Sequence, residues 1–319
     1  LDNAATSQRP ESVIAKWTEM SVRYNSNLHR AVHHLADVAT EEYESTRESV
    51  RNFINAASSD EIVFTSGTTM ALNLVAYSFG EKFIGEGDEI FVSEAEHHSN
   101  IVPWQQLCER KKAVIKVIPV DEAGYVDIEF IRNNISERTK LLCVAQISNV
   151  LGLENPIRNI VNICHSNNCK VLTDGSQGIV HSAVDVRGLD TDFYVFSGHK
   201  LYAAPGTGVL YAKKEILEQM PPFLTGGEMI DRVKWSGTTY ADIPHRFEAG
   251  TQNISGVPTL KPAMEEAILM RDPAIVKQNA EVRDYVYSAL MHDSGIRLYG
   301  VPRKIEQKIP LFSFSVNGV

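Results

Sequence analysis

From about residue 60 the chain alternates short apolar β-like runs with helical patterns, and this alternation constrains the fold more than any other feature. The runs "DEIVFTS", "DEIFVSE", "AVIKVIPV", "KLLCVAQI", "KVLTDGS", "TDFYVFSG" and "GTGVLYAK" are the strand candidates. Between them lie helix-like stretches such as "GTTMALNLVAYSF", "NIVPWQQLCERKK" and "PIRNIVNICHSNN". Strands that alternate with helices imply a mostly parallel sheet covered by helices, an α/β fold. Phe193 to Phe196 are unbroken apolar or aromatic, as expected of a strand buried on both faces. Ahead of the alternation, Tyr43, Val50, Phe53 and Ile54 share one helical face. Beyond about residue 256 the pattern changes to helix-forming stretches over 257–271 and 273–291, then strand-like "GIRLYG" and "PLFSFSV". The expected organisation is a large α/β domain over 16–255 and a smaller α+β domain from 1–15 and 256–319.

A formal charge of −9 argues against a protein built to grip nucleic acid or an anionic membrane. No apolar run approaches the roughly 20 residues that span a bilayer, and no secretory pattern opens the chain at Leu1. The four cysteines, Cys108, Cys143, Cys164 and Cys169, form no CxxC pair and no dense framework. Cys164 shares an apolar helical face with Ile157, Ile160 and Val161, and Cys143 falls in a strand, so both read as packing residues. A reducing cytoplasm is the economical expectation.

In open α/β sheets, ligands gather beyond the carboxyl ends of the strands. After "EIVFT" stands Ser66-Gly67-Thr68-Thr69, whose amides and hydroxyls at a helix start can cradle an anion or simply cap the helix. After "EIFVSE" stand Glu96, His97 and His98: metal ligands, a ring stacked on a flat ligand, or a surface pair. No other His or Cys supports a zinc spacing there. Ser148 and Asn149 follow "LLCVAQI", where a plain turn is the simple alternative, and Asp174 and Gln177 follow "KVLT", where an Asp commonly caps the next helix. Gly198, His199 and Lys200 follow "FYVFS"; a lone lysine there would snorkel to water. Taken together, five strand ends offer an anion cradle, a stacking ring, a carboxylate, an amide and a lysine. A phosphate, a flat ring, a basic ring nitrogen and an aldehyde require that set, and pyridoxal phosphate (PLP) carries all four.

The motifs "LDNAATSQ", "NLHRAVH", "EAEHHSNIVPW", "DFYVFSGHKLYAAPGTGVLY", "GGEMI" and "RFEAGTQN" run nearly end to end in the order of a known family. The chain resembles a group II (SUF-type) cysteine desulfurase, a class V aminotransferase-like PLP enzyme of fold type I. The resemblance implies that Lys200 forms the Schiff base with PLP, His97 stacks on its ring and assists proton traffic, and Asp174 pairs with the ring nitrogen. Gln177 would bond the phenolic oxygen. Thr69, Ser197 and His199 would hold the phosphate with the Thr68 backbone assisting, and Asn149 would face the substrate carboxylate. It further implies a homodimer in which Thr251 reaches the neighbouring subunit's phosphate, with His29 and Arg30 at the active-site entrance. The implied reaction takes sulfur from L-cysteine (or L-selenocysteine) onto an enzyme cysteine, releases alanine, and feeds an acceptor protein of iron–sulfur cluster assembly.

In that family the acceptor cysteine lies in an "RTGHHCA"-like segment, with a substrate-binding arginine, beyond the equivalent of Val319. None of the four cysteines matches it, so the chain is read as a truncated enzyme that is not expected to complete the cycle alone. Smaller departures are Met70 for an acidic residue, Ser176 for alanine, Gln252 for proline, and Ala203 and Ala204 in the turn after Lys200, where loss of glycine is expected to shift the loop. The alternatives are a selenocysteine lyase or another class V lyase or aminotransferase, and a non-catalytic scaffold, which the presence of Lys200 and Asp174 disfavours. A dehydrogenase ranks lower, because no G-x-G-x-x-G follows the first strand.

Overall fold

The computed structural model describes residues 2–29 and 33–318. One sheet is built from β1 (Ile62–Thr65), β2 (Glu89–Ser93), β3 (Val114–Ile118), β4 (Thr139–Ala145), β5 (Lys170–Asp174), β6 (Phe193–Ser197) and β7 (Gly208–Ala212). Their order is β1-β7-β6-β5-β4-β2-β3. Strands β3, β2, β4, β5 and β6 pair in parallel, while β7 runs antiparallel to both β6 and β1. β1 therefore points with the parallel set. The carboxyl ends of β1, β2, β4, β5 and β6 all open on one edge, as the α/β reading of the sequence anticipates.

Side chains on β6 show why the sheet needs covers on both faces. Phe193 and Val195 pack on one side with Leu72, Val75 and Phe79, whereas Tyr194 and Phe196 pack on the other with Tyr43 and Leu260. This is the period of two expected of a strand, with apolar partners for each phase. A third cluster seats helix Ile157–His165 through Ile157, Ile160, Val161 and Cys164, spaced to occupy one helical face. Each large apolar side chain buried in this way contributes about 1.5–3 kcal/mol.

Helix Leu260–Leu269 buries Leu260, Ala263, Met264 and Ala267 in the same cluster as Phe196 and Val209. This helix therefore packs against the large sheet. Helix Pro273–His292 has no buried residue. An exposed hairpin of β8 (Ile230–Lys234) and β9 (Gly237–Tyr240), with Trp235 at its tip, has no counterpart in the sequence expectations. Strands β10 (Ile296–Tyr299) and β11 (Ser313–Val316) form a separate antiparallel pair, as "GIRLYG" and "PLFSFSV" predict. Among the described residues no helix is long and apolar enough to cross a membrane.

Candidate active site

At the shared strand edge lies a cavity of about 350 Å³ lined by Thr68, Thr69, His97, Asn149, Asp174, Gln177, Ser197, His199 and Lys200, among others. Nine residues chosen from sequence thus meet in one place. Thr251 is exposed and lies outside this lining. His29 is also outside it, beside Glu44 and His245, and Arg30 falls outside the described residues.

The cradle forms where β1, β7 and β6 lie side by side. Thr65 on β1 and Ser197 on β6 both register with Gly208, the first residue of β7. Gly67, at φ +151°, precedes helix Thr68–Val75, which has no side-chain cap. The Thr68 amide donates to Ser197 Oγ at 2.8 Å, and Thr68 Oγ1 lies 2.8 Å from both Ser197 Oγ and Ser176 Oγ. A helix start whose own N-cap residue offers no side chain, and whose first amide and hydroxyl meet the hydroxyls of Ser197 and Ser176, is a site for an anion. A Cβ at Gly208 would collide with the Gly67 backbone. Gly208→Ala is therefore expected to cost about 1–3 kcal/mol and to weaken PLP affinity, read by denaturant titration and equilibrium dialysis. Unchanged stability and affinity would show that the turn yields freely.

Asp174 ends β5 and is 7% exposed. Its Oδ1 accepts from the Ser176 amide at 2.9 Å, which fixes the carboxylate at the cavity wall. Lys200 lies one short turn beyond β6. Burial pushes its ammonium below the ordinary lysine range, while the charges of Asp174 and Asp2 act to hold it up. Lys200 is half-buried and lines the cavity together with Asp174 and Asp2, which is not the placement of a side chain that simply snorkels to water. His199 is lowered by burial and by the charges of Lys200 and Arg9, and its Nδ1 lies 3.2 Å from Thr6 Oγ1.

His97 Nδ1 accepts from the Ser99 amide at 3.1 Å, so a neutral ring carries its proton on Nε2. Ser99 Oγ lies 2.8 Å from Thr69 Oγ1, which links the His97 turn to the cradle. Beneath that turn, buried Glu96 accepts from the Ala145 amide and from Asn100 Nδ2, and Asn100 accepts from Trp104 Nε1. Burial pushes the Glu96 carboxyl up to about 8 against these hydrogen bonds. Gln177 Nε2 donates to Ala4 O at 2.8 Å, so in this state its amide tethers the N-terminal segment. Asn149 rides on a turn held from the smaller lobe. Lys308 Nζ donates to Leu151 O at 2.7 Å and the Ile309 amide donates to Gly152 O at 2.9 Å.

Sequence reasoning missed several lining residues. Asp2, Ala4 and Ala5 reach the cavity because Ser7 accepts from the Tyr202 amide and donates to His199 O. The expected disturbance at Ala203 is absent as well. The left-handed positions of this turn are Tyr202, at φ 65°, and Gly206, at φ 74°, and both alanines are fully buried.

The donor set fits PLP: a helix start ringed by hydroxyls for phosphate, a buried carboxylate for a ring nitrogen, and a half-buried amine for an aldehyde. Comparison with known proteins agrees. The class-V aminotransferase family model matches residues 1–319. The chain is 43% identical over 319 residues to a probable cysteine desulfurase of Halalkalibacterium halodurans, spanning all of this chain and 78% of that protein. It is 43% identical over 306 residues to a cysteine desulfurase of Escherichia coli, covering 96% of this chain and 75% of that one. The crystal structure of an E. coli cysteine desulfurase superposes with a TM-score of 0.90 at 36% identity, over 100% of this chain and 79% of that chain. An apo cysteine desulfurase from Thermococcus onnurineus gives 0.92 at 33% identity, over 100% and 78%. With its sheet, its lysine-bearing edge and its relatives in agreement, the chain belongs to the class-V aminotransferase family of PLP-dependent enzymes.

Proposed function

We propose that this protein is a PLP-dependent cysteine desulfurase that converts L-cysteine to L-alanine and passes the sulfur to a thiol, which becomes a persulfide. The observation that carries the reading is that half-buried Lys200, buried Asp174 and the hydroxyl-ringed anion cradle line one cavity. Bound there, PLP supplies an electron sink for charge that develops at the substrate α-carbon. Lys200 would hold the cofactor through its aldehyde and, once the substrate amine has displaced it, would carry the α-proton on its freed Nζ. Asp174 keeps a positive ring nitrogen charged, and burial makes the carboxylate effective, because little water competes. Thr68, Thr69, Ser197 and His199 would hold the phosphate, and Gln177, whose amide now donates to Ala4 O, would bond the phenolic oxygen. His97 covers the ring face and offers its Nε2 proton, and Asn149 takes the substrate carboxylate.

The proposal extends to assembly. The exposure of Thr251 fits a homodimer in which it reaches the neighbouring subunit's phosphate, with the loop of His29 and Arg30 near the active-site entrance. We assign the smaller domain chiefly to residues 273–318, and the sulfur acceptor to a protein that builds iron–sulfur clusters in the cytoplasm. The deciding measurement is the visible absorption of PLP-loaded protein during titration with L-cysteine, L-selenocysteine, L-serine and L-aspartate. The desulfurase reading expects a saturable change with L-cysteine and none of comparable affinity with L-serine or L-aspartate. A stronger response to either of these overturns it in favour of another class V reaction. A response to L-selenocysteine alone makes the protein a selenocysteine lyase.

A further inference from the structure

We propose that His29, Glu44 and His245 form a site for one zinc-class divalent cation, outside the PLP cavity and independent of the desulfurase reading. The three residues come from separate parts of the chain: the loop before helix His34–Phe53, that helix itself, and the short turn His245–Phe247. One ligand atom from each lies within 4.8 Å of the others. His29 Nε2 stands 3.4 Å from Glu44 Oε1, and the two imidazoles meet edge to face at 5.2 Å between centroids. Around a tetrahedral ion, bonds of about 2.0–2.1 Å place neighbouring ligand atoms about 3.3 Å apart. The cluster reaches that spacing by side-chain rotation of roughly an ångström, and His29 lies on the exposed side where it can turn.

Charge decides whether a dication is tolerated. Arg47 lies beside Glu44, with Nε 2.8 Å from Glu44 Oε2, which at first sight repels a cation. The guanidinium is already matched by buried Glu248, which accepts from NH1 at 2.7 Å and from NH2 at 3.0 Å. With both carboxylates ionised, the group of Glu44, Glu248 and Arg47 carries one net negative charge. Arg47 grips both Glu44 oxygens, Nε on Oε2 at 2.8 Å and NH2 on Oε1 at 3.2 Å, and so acts as the outer-sphere partner that orients a ligating carboxylate, with the second lone pair of Oε1 left for the ion beside His29. Two imidazoles and one carboxylate select a zinc-like ion over magnesium or calcium, which prefer all-oxygen shells, and they leave a fourth position for water.

An ion here would pin the loop at His29 and the segment running from His245 toward Thr251 to the same helix. The test is equilibrium dialysis of PLP-loaded, chelator-stripped protein against Zn²⁺, with metal analysis and a thermal melt. The expected result is one equivalent bound per chain and a raised melting temperature. His29→Ala and His245→Ala are each expected to weaken binding by about tenfold or more and to cancel the thermal shift, with folding retained because neither ring is in the core. His98→Ala, at an exposed histidine outside the cluster, should leave binding intact. Absence of a stoichiometric ion overturns the assignment, as does binding that survives both variants or is lost in His98→Ala. Because none of these readouts uses L-cysteine, the result is separable from the enzymatic reading.

Discussion

Lys200→Ala is expected to slow exchange of the L-cysteine α-proton with solvent by about a thousandfold or more, the loss that follows removal of a residue acting as both nucleophile and proton carrier. Protein-bound PLP should persist, because the phosphate cradle and Asp174 are untouched, but its visible absorption should resemble that of free cofactor. Lys200→Arg is not expected to rescue the rate. A guanidinium stays protonated and cannot shuttle a proton, whereas burial moves the Lys200 ammonium toward the neutral amine. The sign of that shift matters. A depressed lysine pKa enlarges the fraction of neutral amine at neutral pH, and Asp174 and Asp2 limit how far it falls. Retention of more than about a tenth of the exchange rate in Lys200→Ala would show that another base moves the α-proton.

The strand ends were legible because a polar residue at the end of a fully buried strand is costly without a partner. Asp174, Ser197 and Lys200 each follow such a run, and one cavity collects them. The N-terminal lining was illegible for the opposite reason. Asp2, Ala4 and Ala5 have no periodicity, and their seat depends on Ser7 bonding to a turn nearly two hundred residues away. Glu96 was visible as a letter beside His97 but not as the buried brace beneath it, since its partners Ala145 and Asn100 lie on another strand and the next turn. The β8–β9 hairpin escaped because its side chains are nearly all exposed and show no apolar alternation. At Ala203 composition misled: the family's glycine suggested a left-handed residue, yet Tyr202 occupies that conformation while the Ala203 amide donates to Gly198 O. Thr251 and His29 stand apart from the cavity of their own chain, which sequence order alone does not reveal.

Arg47→Met is expected to destabilise the protein by about 3–5 kcal/mol, the cost of leaving a buried charge without its partner. Both side chains of the Arg47–Glu248 pair are 2% exposed. Arg47 also donates to Ile62 O at 2.8 Å and lies over the Phe64 ring, while Glu248 accepts from the Phe64 amide and the Tyr43 hydroxyl. The pair thereby fastens the segment before Thr251 to β1 and to helix His34–Phe53. Removing both charges should cost less than removing one, because the uncompensated carboxylate disappears. Arg47→Met combined with Glu248→Leu is expected to recover part of the loss. Recovery should stop about 1–3 kcal/mol short, since the Ile62 carbonyl and the Phe64 amide then lack partners. Urea titrations of the two single variants and the double variant give the coupling directly. If Arg47→Met alone costs under about 1 kcal/mol, water reaches Glu248 in solution and the pair is not the clamp its geometry describes. If the double variant is weaker than either single one, the hydrogen bonds to β1 outweigh the ion pair. Thr251 would then owe its position to the Phe64 amide and the Ile62 carbonyl rather than to charge.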